Sequence, residues 1–221
     1  MDLIEEWMLA QARVIELVSA APPEQAELRV PACPDWTVRD LFSHMVGLGV
    51  DVLAGDEPDD HNSVWTEAQV TKRRGLDIAA LVAEWQTVTA PLQDWMVTRG
   101  TRPLGDVIIH EQDLRGALGV PGGQDSGGVR AIRDRFLFRF AERLDELPPI
   151  ALVAEGWQWA SNGTPDAAEV VVAAPAFDIA RALVTRRSER QLRAWTARGD
   201  IEPYLRAFAT LGPLPTADLA E

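Results

Sequence analysis

Apolar residues recur at helical intervals through the first two thirds of the chain, then give way to short unbroken apolar runs. Between Leu3 and Ala20, the residues Leu3, Trp7, Ala10, Val14, Leu17 and Val18 fall on one face and Pro22-Pro23 stops the run, which predicts an amphipathic helix. A second helix is expected after Pro34-Asp35-Trp36, with Thr37 capping its free amides and Asp40 at the third helical position in an approximate capping box. It runs to about Leu53. Val38, Leu41, Phe42, Met45 and Leu48 form its apolar face, with His44 at the edge of that face.

An acidic loop, Gly55 to Ser63, separates this helix from a short polar one over Trp65 to Arg74. A long helix is then expected from Asp77 to about Met96, presenting Ile78, Leu81, Val82, Trp85 and Val88, with Pro91 kinking it or cutting it short. Pro103 suits the first turn of the next helix, which ends at Gly119 with Pro121 beyond. The segment Pro121 to Gly128, rich in glycine, reads as a flexible linker or a long turn. Val129 to Leu147 returns to helical spacing through Ile132, Phe136, Phe140 and Leu144. After it, Ile150 to Ala154 and Val170 to Ala173 read as strands, and Ala176 to Thr185, Ser188 to Ala197 and Pro203 to Leu211 as helices. The class is mainly α: a helical bundle over residues 1–146, followed by a small α+β domain over 147–221.

Charge narrows the function classes. The 221 residues carry a formal net charge of −13, which works against binding nucleic acid through its phosphates. No apolar run approaches the roughly 20 residues needed to span a bilayer, and the first residues, Met1 to Trp7, are acidic where a secretory leader is basic. Cys33 is the single cysteine, so an intrachain disulfide is excluded and a reducing, cytoplasmic location is expected. The expected state is a monomer or homodimer.

Candidate chemistry centres on three residues. Asp106 and His110 are four apart on one predicted helix, so they share a face, and His44 lies on another. Two imidazoles and a carboxylate can hold a divalent transition metal, with positions left open for water, thiol or substrate. The same residues can also be an ion pair beside a hydrogen-bonded core histidine. His61, in the acidic loop, has no second ligand at helical spacing and reads as a solvated residue; Cys33, between prolines, reads as structural. Glu111 faces away from Asp106 and His110, and Asp113 reads as orienting the helix end or nearby backbone.

The run VPACPDWTVRDLFSH from Val30 to His44 resembles the opening signature of the mycothiol-dependent maleylpyruvate isomerase family. DVIIHEQDLRGALG, from Asp106 to Gly119, resembles its second signature, and the stretches Asp178 to Ser188 and Arg198 to Asp200 resemble its small C-terminal domain. The resemblance implies a DinB-like, up-down four-helix bundle in which His44, Asp106 and His110 hold a divalent metal, usually zinc, with mycothiol or a similar low-molecular-weight thiol as cosubstrate. Asp106 stands where the isomerases have glutamate, which calls for a closer helix or gives weaker metal binding. The implied chemistry is addition of a metal-activated thiolate to a cis double bond, rotation and elimination, or S-transfer on the same site. Because such substrates are small and anionic, Arg115, Arg186 and Arg187 are candidates for a carboxylate clamp; Arg115 can equally pair with Glu111 on the outside of the helix. A non-catalytic metal- or ligand-binding protein and a thiol-independent, metal-dependent hydrolase are the alternatives.

Overall fold

The structure is a computed structural model describing residues 1–58, 62–144 and 146–220. His61 lies outside the described residues. The chain forms two compact units, residues 1–128 and 129–220.

In the first unit, α1 (Leu3–Ala20) starts at Asp2, whose carboxylate accepts from the amides of Ile4 and Glu5. A two-stranded antiparallel hairpin, β1 (Arg29–Val30) and β2 (Cys33–Thr37), leads into α2 (Val38–Ala54). The hairpin is absent from the sequence reading. The Thr37–Asp40 capping box is formed: Thr37 Oγ1 accepts from the Asp40 amide and Asp40 Oδ2 accepts from the Thr37 amide. A short α3 (Ser63–Lys72) follows, capped by Asn62, then α4 (Ile78–Arg99) and α5 (Arg102–Leu118).

Pro91 does not cut α4 short, since the helix continues to Arg99. Pro91 is solvent-exposed, so its missing amide costs one bond on the wet side of the helix and not a buried polar group. α5 has Pro103 in its first turn and ends on Gly119 in the left-handed conformation, φ +66, as its sequence requires.

α1 packs against α4 and α5, and α2 against α3, α4 and α5. The core between them holds Trp7, Val14, Phe42, Met45, Leu81, Trp85, Leu92 and Leu114, with Phe42 edge-on to Trp85 at 5.5 Å. The segment after α5 is not a free linker. Gln112 Nε2 donates to the Gly122 carbonyl, Arg115 to that of Val120, and the Gly128 amide donates to Glu6.

The second unit begins within α6 (Gly127–Ala141). That helix is shorter than the expected 129–147, although Ile132, Phe136, Phe140 and Leu144 are all buried as their spacing predicts. A four-stranded sheet of order β4-β3-β5-β6 contains β3 (Ile150–Ala154), β4 (Trp157–Ala160), β5 (Val170–Ala173) and β6 (Thr196–Arg198). β3 and β5 are parallel; the outer pairs are antiparallel. α7 (Ala176–Leu183) and α8 (Glu189–Ala194) complete the unit, around a core that includes Leu152, Phe140 and Phe208.

Two expectations change here. The helix predicted over 188–197 stops at Ala194 because Thr196–Arg198 pairs with β5, and 203–211 forms a 3-10 helix over Glu202–Phe208 in place of an α-helix. Both units agree with the mainly α class, a helical bundle followed by a small α+β unit.

Candidate metal centre

α2 and α5 present the three candidate ligands to one another. His44 Nε2 lies 3.3 Å from Asp106 Oδ1, and His110 Nε2 lies 3.4 Å from the same oxygen. The two imidazole rings are 5.2 Å apart and nearly perpendicular. His44 is 4% exposed and the Asp106 side chain 17%, so the cluster is largely out of water yet reachable at Asp106. The shorter aspartate arm is accommodated, since one oxygen of Asp106 meets both imidazoles.

The far side of each ring is also held. His110 Nδ1 donates to Asp113 Oδ2 at 2.9 Å, and His44 Nδ1 lies 2.6 Å from Gln69 Oε1. A carboxylate accepts, so the Asp113 contact puts the proton of a neutral His110 on Nδ1 and leaves a lone pair on Nε2, aimed at Asp106. Asp106 Oδ2 is buried with no hydrogen-bond partner among the described residues. Lone pairs that converge, beside an orphaned buried carboxylate oxygen, are costly unless a cation sits among them. The residues therefore fit a divalent metal, and orienting each ligand imidazole through its other nitrogen is what metal sites require.

The electrostatics carry the same message. Burial acts to raise the Asp106 pKa, but the facing His110 and His44 imidazoles outweigh it and hold the carboxyl far below its ordinary range. Burial acts to lower the pKa of His110, while Asp106, Asp113 and Cys33 push it well above its ordinary value. Where no metal is bound, protons supply the positive charge that the cluster demands.

Sequence reasoning missed two of these residues' roles. Asp113 belongs to the centre through His110, a role its i,i+3 spacing allows. Gln69 comes from α3, where no periodic signal marks it. Cys33 Sγ is 3.8 Å from Asp113 Oδ2 and groups with His110 and Asp113, on the side of the ring turned away from Asp106. Trp36, also on β2, lays its ring 5.0 Å from that of His44 and gives the centre an apolar flank.

Of the candidate clamp arginines, Arg115 lies in the first unit and Arg186 and Arg187 in the second. Arg115 does pair with Glu111, but the pair is buried and not on the outside of the helix: Glu111 is 0% exposed and also takes two hydrogen bonds, each 2.8 Å, from Arg13 of α1. The reason is that α1 covers this face of α5. Arg187 is buried in the second unit, its Nε and Nη2 donating to Asp178 at 2.9 and 2.8 Å, and Arg186 in the same unit donates to the Val184 carbonyl.

Residues 7–115 match the family model of the mycothiol maleylpyruvate isomerase N-terminal domain, a span that contains all three candidate ligands. Two solved structures share the fold. A mycothiol-dependent maleylpyruvate isomerase is 13% identical with a TM-score of 0.60, the match covering 86% of this chain and 91% of that one. A histidine-to-alanine mutant of a mycothiol-dependent maleylpyruvate isomerase is 15% identical with a TM-score of 0.59, over 84% and 90%. No curated protein matches the chain. The family model identifies residues 7–115 as the N-terminal domain of the mycothiol-dependent maleylpyruvate isomerase family, and the fold shared with the two solved isomerases extends over most of the chain.

Proposed function

We propose that the protein is a metal- and thiol-dependent enzyme of the mycothiol type, an isomerase or S-transferase acting on a small electrophilic substrate. His44, Asp106 and His110 would hold the metal, and two imidazoles with one carboxylate are a donor set suited to zinc with open positions. The observation that carries this reading is the convergence of both Nε2 atoms on Asp106 Oδ1, with Oδ2 buried and unpartnered beside them. Family membership supports the thiol. When bound, a divalent metal lowers the pKa of a coordinating thiol and so supplies a nucleophile at neutral pH.

The chain's own residues orient and shelter that chemistry. Asp113 holds His110 by Nδ1, fixing both its ring plane and its tautomer. Trp36 shields one side of His44, offering an apolar surface to the carbon skeleton of a substrate. Cys33 sits behind His110, next to Asp113, so the reactive sulfur of this reading comes from the cosubstrate and not from the chain.

Elemental mass spectrometry of the purified protein beside a His110→Ala variant, followed by zinc titration of both, tests the metal. Near-stoichiometric uptake lost in the variant supports the reading; a wild type that takes up no zinc overturns it. Turnover of small cis-olefinic acids with and without added thiol then tests the rest. A metal-loaded protein whose catalysis is indifferent to thiol overturns the thiol part of the reading.

A further inference from the structure

We infer that Gln69 is a positioning residue for His44, and that α3 is through it a working part of the metal centre. The consequence for metal binding rests on the reading proposed above; the geometry does not. Gln69 is fully buried, although it sits on a helix that is largely polar. The two ends of its amide have the same shape, so their partners must decide which is which. Nε2 lies 2.8 Å from Asp51 Oδ2, and a carboxylate accepts. The nitrogen therefore faces Asp51, and Oε1 faces His44 Nδ1 at 2.6 Å. A carbonyl oxygen cannot donate, so His44 donates from Nδ1, and a neutral ring then keeps its lone pair on Nε2, facing Asp106.

The surroundings are built for this contact. His44, Gly47 and Asp51 lie at i, i+3 and i+7, one face of α2, and α3 docks on that face. A Cβ on Gly47 would fall 2.6 Å from Gln69 Cβ and 2.7 Å from Arg73 Nη1, so the glycine is what lets α3 come close enough for the amide to reach. Arg73 in turn donates to the Gln69 carbonyl at 3.1 Å and is clamped by Glu84 of α4. The two ligand imidazoles are thus backed differently. His110 has a carboxylate directly behind it; His44 has a neutral amide, with the Asp51 carboxylate one step further out. The amide fixes the tautomer without placing another negative charge against the ring.

The test uses the full-length protein and two readouts. Long-range 15N–1H correlation of the imidazoles, in metal-free protein at alkaline pH, reports which nitrogen of His44 carries the proton. Competition with a chromogenic chelator reports zinc affinity. Wild type should show His44 protonated on Nδ1. Gln69→Leu should lose that preference and bind zinc about 10- to 100-fold more weakly.

Gln69→Glu alone should also weaken binding, because it sets two carboxylates face to face. Adding Asp51→Asn should restore the affinity, since an asparagine amide can donate where the aspartate only accepted. This pair keeps the test open if Gln69→Leu fails to fold. His44 protonated on Nε2 in wild type, or zinc affinity unchanged in folded Gln69→Leu, overturns the inference. A wild type that binds no zinc but has His44 protonated on Nδ1 leaves the positioning role standing and removes the metal reading alone.

Discussion

Adjacent turns of α5 carry two buried charged clusters that are completed in different ways. At Glu111 the carboxylate is enclosed by Arg13 and Arg115, and both of its oxygens are bonded. One residue earlier, His110 shares Asp106 Oδ1 with His44, and Asp106 Oδ2 has no partner among the described residues. The first cluster contains its own countercharges, so removing a member should cost stability and little else. The second brings together acceptors that the chain itself does not satisfy. Burial is shared by both clusters; incomplete satisfaction is what separates the proposed ligand site from a structural brace.

The largest effect that tests this contrast is on stability. Glu111→Ala leaves two guanidiniums facing each other without their carboxylate, one of them nine-tenths buried, and should cost about 3 kcal/mol or more. Urea denaturation of the metal-free proteins measures it. Asp106→Asn, by contrast, removes a carboxylate that the two imidazoles share, so metal-free stability near neutral pH should fall by less than in Glu111→Ala, while zinc binding is lost. Equal losses of stability in the two variants would erase the distinction.

Next in size is the orienting carboxylate. Asp113→Asn keeps shape and burial but replaces a charged acceptor for His110 Nδ1 by a neutral one. Zinc affinity should fall about 10- to 100-fold, read by chelator competition. The same substitution should leave the Arg13–Glu111–Arg115 cluster undisturbed, because Asp113 makes none of its bonds.

The legibility of these clusters from sequence was uneven for physical reasons. α1 could be delimited to Leu3–Ala20 because its apolar spacing is regular and prolines follow it, and α5 because Pro103 and Gly119 punctuate it. His44, Asp106 and His110 could be grouped by residue type and helical spacing. Gln69 could not, since nothing local distinguishes a buried glutamine in a polar helix from an exposed one, and the close approach at Gly47 is a tertiary event. Arg115 had two places open to it, a carboxylate clamp or an outside pair with Glu111, because i,i+4 spacing allows the pair but does not say what covers it; Glu111, Gln112 and Asp113 are all buried because α1, α2 and the hairpin strand β1 pack on α5. The strands β2 and β6 escaped for a related reason. One contains Pro34 and Asp35, the other is three residues long at a sheet edge, and their pairing with neighbours outweighs weak propensity.

A smaller effect probes how tightly the second cluster depends on the start of α2. Thr37→Ala removes one half of the capping box and should destabilise the protein by about 1 kcal/mol. His44 lies two turns into the helix, held by Gln69, so zinc affinity should hardly move. A parallel loss of affinity would mean that fraying at the helix start reaches the ligand, and that the amide contact does not anchor it.

The smallest expected effect is a change of slope with pH, whose sign should differ between metal-free and zinc-loaded protein. Asp106, with its pKa lowered, stabilises the metal-free fold above the ordinary carboxyl value of 3.8, and that contribution is lost as pH falls. His110, with its pKa raised, stabilises the metal-free fold fully below the ordinary value of 6.5, and this is lost as pH rises through its elevated folded value. Metal-free protein should therefore lose stability on the alkaline side. Zinc should reverse the slope: if the metal replaces the proton, the loaded protein should hold its stability at alkaline pH and lose it on acidification, as protons displace zinc. Thermal melts across pH, with and without zinc, measure both slopes. In Asp106→Asn the alkaline loss should shrink, because the carboxylate that raises His110 most is gone, whereas the slope should survive in Glu111→Gln. A slope that survives both substitutions would have to originate outside the centre.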